Sequence, residues 1–92
     1  MIKLFRHKGL GKFFETGSIA GVRPGHAKKL RMVLTALDTA QTIEDMSIPG
    51  FALHPLKSEM LGRWAVSINA NWRLTFEFQD WNAYVLDYED YH

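Results

Sequence analysis

The sequence predicts an α+β domain in which two N-terminal helices pack on one face of an antiparallel β-sheet. Two observations lead to this prediction. Residues 8–40 carry apolar side chains at helical spacing, whereas residues 63–89 alternate apolar and polar side chains as strands do. Helices that precede a run of antiparallel strands typically cover one face of the sheet they form. The 92 residues allow one core and little more, so we expect a single domain over residues 1–92.

Both helices are expected to begin and end at recognisable signals. The first covers residues 8–16 and stops before Gly17, where glycine commonly terminates a helix. Its apolar side chains are Leu10, Phe13 and Phe14. The second covers residues 26–40, and its stripe at i, i+3, i+4 and i+7 consists of Leu30, Val33, Leu34 and Leu37. His7 and His26 are interpreted as surface residues.

Shorter elements are predicted around the helices. Residues 1–5 alternate, with Ile2 and Leu4 on one side, and predict a first strand. Thr42 followed by Asp45 has the spacing of a capping box, which predicts one short helical turn. Residues 51–56 predict a short strand that ends near Pro55, because proline cannot donate a hydrogen bond to a neighbouring strand.

The long strands define the two faces of the predicted sheet. One face carries large apolar side chains, which we expect to be core: Trp64, Val66, Ile68, Trp72, Leu74, Phe76 and Phe78. The other face carries Arg73 and is expected to stay open to water. A third strand over residues 83–89 continues into Asp90, Tyr91 and His92 at the end of the chain.

Composition narrows the functional classes. The chain has no cysteine, which excludes disulfides and thiolate chemistry, and no apolar run long enough to span a membrane, so we expect a cytoplasmic protein without a membrane partner. Residues 1–31 hold eight Lys/Arg and one Glu, a net +7, whereas residues 32–92 hold three Lys/Arg and nine Asp/Glu, a net −6. This asymmetry favours a basic surface for a polyanion, although solvated helix faces explain it equally well.

No phosphate-binding loop, serine nucleophile motif or zinc-protease motif occurs in the chain. Polar groups collect instead near strand ends: His54, Lys57, Arg73, Asp90, Tyr91 and His92. Cleavage of RNA through its own 2′-hydroxyl needs a base, an acid and cations around the phosphorus, and these residue types can supply all three. Simpler explanations stay open, namely a surface histidine, an Arg73–Glu77 ion pair, a frayed terminus, or a metal site built from two histidines and Asp90.

Four segments together resemble the HigB-type toxins of the RelE superfamily, the ribosome-dependent mRNA endonucleases of bacterial toxin–antitoxin pairs. They are residues 1–3, residues 54–57, residues 66–76 and residues 88–92. The resemblance implies a fold like that of microbial ribonucleases, with the active site on the concave face of the sheet. It also implies cleavage of mRNA in the A site of the 30S ribosomal subunit, without a cofactor or metal.

The resemblance assigns roles to individual residues. His54 and His92 match the acid–base pair, Asp90 assists, Tyr91 orients the mRNA, and Lys57 and Arg73 hold the scissile phosphate. Ribosomal RNA would be contacted by the basic N-terminal third, through Lys8, Lys12, Arg23, Lys28, Lys29 and Arg31. The implied partner is a HigA-type antitoxin with a helix-turn-helix domain. An alternative of a different class is a non-catalytic interaction module on the same fold, such as a toxin that poisons DNA gyrase.

Overall fold

The computed structural model describes residues 1–56, 62–69 and 71–90. Over these residues the fold is α+β, with two α-helices and one four-stranded antiparallel sheet of order β1-β2-β3-β4. The helices are α1 (Lys8–Thr16) and α2 (Ala27–Thr39), and the strands are β1 (His54–Pro55), β2 (Arg63–Ser67), β3 (Trp72–Gln79) and β4 (Asn82–Asp90). In this part of the chain, no helix combines the length and apolar character needed to cross a membrane.

The first helix confirms the predicted bounds, and its ends show why. His7 lies before the first turn and its Nδ1 accepts a hydrogen bond from the Leu10 amide at 2.9 Å, which satisfies one of the otherwise unpaired N–H groups. His7 is therefore a half-buried capping residue rather than a purely surface one. Gly17 ends the helix with φ 80°, a left-handed conformation that glycine adopts without steric cost.

The second helix is shorter by one residue at each end than the sequence predicts. A 3₁₀ turn over Pro24–His26 precedes it, and Ala40 leaves the helix in an extended conformation. The buried side chains of the helix are those of the predicted stripe: Leu30, Val33, Leu34 and Leu37. The predicted capping box is also confirmed, because Thr42 and Asp45 each bond to the other's backbone at the start of a 3₁₀ turn, Ile43–Met46.

Two predicted strands are much reduced. Residues 1–5 form only two parallel bridges with β4, Ile2 to Ala83 and Phe5 to Leu86. Their spacing of three residues breaks strict alternation, which is why Phe5 is half-buried whereas Leu4 is 53% exposed. The strand predicted over residues 51–56 shrinks to His54–Pro55, because Ala52 takes a positive φ of 51° just before it.

One hydrophobic cluster joins both helices to the sheet. Its members include Leu10 and Phe13 of α1, the α2 stripe, and Val66, Leu74, Phe76 and Leu86 of the strands. The other face of the sheet was expected to stay open, and at its centre this was wrong. Ala65 and Thr75 are buried there, and Arg63 is only 8% exposed. The reason is that the Arg63 side chain lies across this face and bonds to Thr75.

Candidate active site

Strand register places His54 and Arg73 on the same face of the sheet. His54 pairs with Ala65, Ala65 with Thr75, and Arg73 with Ser67 on the strand between them. Directly paired residues, and residues two apart along a strand, project from one face. The strands of the two residues are two spacings apart, about 10 Å at the usual interstrand distance. The two residues thus share one face of the sheet and are separated by β2.

The backbone before β1 determines how His54 is presented. Phe51 is buried, and its carbonyl accepts a hydrogen bond from the Ser67 amide at 2.7 Å. The chain then turns at Ala52, whose carbonyl lies 2.9 Å from His54 Nδ1. A carbonyl can only accept, so Nδ1 carries a proton, and Nε2 is the ring nitrogen left for another partner. The ring is exposed, as a group that meets a large substrate must be.

Arg73 is held by a neighbour that sequence reasoning missed. Its Nε lies 3.4 Å from Oε1 of Glu89, the residue directly opposite on β4, and the Arg73 side chain is 23% exposed. The alternative pair considered from sequence, Arg73 with Glu77, does not form, because Glu77 lies 3.4 Å from Arg63 Nη1 instead. The carboxylate of Glu89 thus orients the Arg73 guanidinium across the sheet surface.

Arg63 is a second cation on this face and was also missed. Its Nη2 donates to Thr75 Oγ1 at 2.9 Å and to the Val85 carbonyl at 3.2 Å. Val85 has φ 53° at the irregularity in the β3–β4 register, so Arg63 binds a carbonyl at a distorted point of the sheet. The available signal was its position, since residues 63, 65 and 67 of one strand share the face of Arg73.

Asp90 does not share the sheet face of His54 and Arg73. It is the last residue of β4 and pairs with Trp72, so by strand alternation it is on the face opposite to Arg73. The structure also places it on the strand farthest from β1, at the other edge of the sheet from His54. Lys57, Tyr91 and His92 lie outside the described residues. Among the described residues, no three His, Asp or Glu side chains converge as metal ligands.

Comparison with known proteins decides the family. The model for HigB-like toxins, described as the RelE-like toxin of the type II toxin–antitoxin system HigB, matches residues 3–92. The chain belongs to this family. It is also 45% identical over 92 residues to endoribonuclease HigB of Proteus vulgaris, with 100% of both chains covered. The resemblance seen in the sequence is thereby confirmed, and membership of a type II toxin–antitoxin family implies an antitoxin partner.

The HigB-like chain buries a histidine that was predicted to lie on the surface. His26 is 6% exposed, because the 3₁₀ turn before α2 points it between Tyr88 of β4 and the β2–β3 turn. Burial, and secondarily the Arg23 charge, lowers the pKa of His26 from its ordinary value. Burial also raises the pKa of the Tyr88 phenol. Both shifts favour the neutral forms.

The six cations assigned to ribosomal RNA divide into two groups. Lys8, Lys12 and Lys28 are exposed, and their positions fit contact with a polyanion. The other three make contacts within the chain, and of these Arg23 and Arg31 are exposed as well. Arg23 lies 5.3 Å from the centre of the Trp72 ring, Arg31 lies 5.5 Å from that of Phe13, and the half-buried Lys29 donates to the Gly50 carbonyl at 2.9 Å.

Proposed function

We propose that this chain is an endoribonuclease toxin that cleaves mRNA in the ribosomal A site. The observation that carries the proposal is the full-length 45% identity to a protein named endoribonuclease HigB. The geometry supports it, since His54 and Arg73 share one sheet face and His54 presents its Nε2 from an exposed ring. An imidazole can both donate and accept a proton, and on the same sheet face as a guanidinium it is suited to proton transfer next to a phosphate.

In the proposed reaction the 2′-oxygen attacks the adjacent phosphorus as its proton passes to a base. The bond from phosphorus to the 5′-oxygen breaks, and an acid protonates the departing oxygen. The products are a 2′,3′-cyclic phosphate and a 5′-hydroxyl. His54 and His92 serve as the acid–base pair, and His54 acts through Nε2. Side chains carry both protons, so the reaction needs no metal.

Five further residues complete the proposed site. Arg73 and Lys57 hold the scissile phosphate and stabilise the charge that develops on it, with Glu89 keeping the Arg73 guanidinium in place. Tyr91 orients the mRNA. Asp90 assists the acid–base pair through His92, because it ends β4 and comes two positions before His92 in the chain.

The finer architecture and the partners belong to the same proposal. Both helices cover the sheet face of Val66, Leu74 and Phe76, which leaves the face of Arg73 for mRNA, as in microbial ribonucleases. The exposed cations contact ribosomal RNA, and salt therefore weakens ribosome binding. The antitoxin is of the HigA type with a helix-turn-helix domain. The toxin is a single cytoplasmic domain.

The test is to map mRNA 5′ ends on ribosomes after brief induction of the chain in bacteria. New ends inside A-site codons are expected with the wild type and absent with His54→Gln or His92→Gln. Antitoxin binding by both variants controls for folding. New 5′ ends that also appear in untranslated mRNA would contradict cleavage in the ribosomal A site. Equal growth arrest by the wild type and His92→Gln would instead favour the non-catalytic interaction module.

A further inference from the structure

A network in which His26 and Tyr88 are buried and Asn69 is exposed lies next to the strand ends that carry Arg73 and Asp90. We infer that His26 and Asn69 are positioning residues that hold the start of β3 and the end of β4, and with them Arg73 and Asp90, in one arrangement. The inference rests on the proposed function, because it deepens the account of that site. It goes beyond the acid–base and phosphate-binding residues, none of which belongs to this network.

Hydrogen bonds in the β2–β3 turn orient Asn69. Its Oδ1 accepts from the amides of Asn71 and Trp72, both at 3.1 Å. The amide nitrogen of the side chain must therefore face His26 Nε2, which lies 2.6 Å away. An amide nitrogen only donates, so Nε2 accepts and carries no proton.

The protonation state of Nε2 determines that of Nδ1, the other ring nitrogen. With Nε2 as acceptor, the proton of the neutral imidazole is on Nδ1, which lies 2.6 Å from Tyr88 Oη and donates to it. Tyr88 Oη is also approached by the Arg23 amide at 3.4 Å. The ring of His26 thus bridges the turn that begins β3 and the strand that ends at Asp90.

Aromatic packing joins the same two strand ends. The Trp72 ring lies 4.7 Å from that of Tyr88 and 5.6 Å from that of His26. Trp72 directly precedes Arg73, and it pairs with Asp90 across the sheet. Tyr88 directly precedes Glu89, the ion-pair partner of Arg73. The ion-pair partner of Arg73 and the strand partner of Asp90 are therefore neighbours or members of this network.

Removing the hydrogen bond between His26 and Tyr88 should disturb the placement of the reacting groups more than the binding of ribosomes. His26→Gln and Tyr88→Phe each remove the bond between the 3₁₀ turn before α2 and β4. We expect the rate of single-turnover cleavage of ribosome-bound mRNA to fall about 10- to 100-fold, because small misplacements of reacting groups cost that much. The KM for ribosomes should change little, since the exposed cations are untouched. Val33→Ala, a buried α2 substitution outside the network, should lower Tm but keep the cleavage rate at a temperature where the protein is folded.

A spectroscopic measurement separates this inference from the proposed function. In ¹⁵N-labelled wild type at neutral pH, His26 Nε2 should resonate as unprotonated nitrogen and Nδ1 as protonated. In His26→Gln, the Arg73 Nε–H and Asp90 amide resonances should shift and exchange faster with solvent. A protonated Nε2, or unshifted resonances, would overturn the inference even if the wild type cleaves mRNA. If His26→Gln and Tyr88→Phe both cleave mRNA at the wild-type rate, the inference is also overturned. A wild type that cuts nothing refutes the proposed function, and the resonances still decide this inference.

Discussion

Arg63 provides the sharpest test of what stabilises the sheet face that carries Arg73. Replacing it with methionine keeps much of the volume and flexibility of the side chain but removes every donor. Arg63→Met loses the bonds to Thr75 Oγ1 at 2.9 Å and to the Val85 carbonyl at 3.2 Å, together with the contact to Glu77 at 3.4 Å. The guanidinium is almost fully buried, so water replaces these partners poorly.

The expected loss of stability can be built up from these contacts. A hydrogen bond from a charged donor contributes about 1.5–3 kcal/mol, and Arg63 makes two to buried or half-buried acceptors. Removing the buried charge also removes its desolvation cost, which offsets part of this loss. Glu77 is 46% exposed and returns to water, so no orphan charge is left. We therefore expect the free energy of unfolding to fall by about 2 kcal/mol, a Tm decrease of roughly 8–16 °C for a domain of this size.

The measurement is urea denaturation of the purified protein, with Arg6→Met as the matched control. Arg6 also pairs with a carboxylate, Asp87, but at 3.8 Å and with its side chain 69% exposed. Exposed pairs of this kind contribute about 0–1 kcal/mol, so the control should be close to the wild type. Equal stability of the two variants would refute the argument that the Arg63 bonds hold the centre of this face.

Two further predictions concern stability. The pKa of His26 is lowered by burial and by Arg23. Below about pH 6.5, therefore, His26 binds a proton in the unfolded chain but stays neutral in the folded chain until the lowered pKa is reached. The free energy of unfolding should therefore decrease on acidification through this range, by up to about 1.4 kcal/mol per pH unit until the lowered pKa is reached, and this part should be missing from urea titrations of His26→Gln. Gly9→Ala should destabilise the protein by about 1–3 kcal/mol despite the helix preference of alanine, because the new Cβ would lie 2.7 Å from the Gly21 Cα. Gly25→Ala, with open space around it, should be neutral or slightly stabilising, and thermal melts of the two variants that coincide would contradict the packing argument.

Local signals in the sequence were sufficient for much of the fold. The bounds of the first helix, its glycine terminus, the capping box at Thr42 and the buried stripe of α2 all depend on residues within one or two helical turns of each other. Alternation along β2 and β3 likewise put Arg73 on the face opposite the large apolar side chains. Each of these signals reports a contact made within one element or between strands joined by a short turn.

Tertiary structure decided what the neighbours of those residues are. His26 looked like a surface residue because its partners, Asn69 and Tyr88, lie 43 and 62 positions away in the chain. Arg73 looked able to pair with Glu77 on its own strand, yet it forms an ion pair with Glu89 on β4. The sequence by itself determined the helices, the long strands and the types of residue at the candidate site. Which of those side chains meet was settled only by register and packing between distant segments, because local periodicity carries no information about which strand lies alongside.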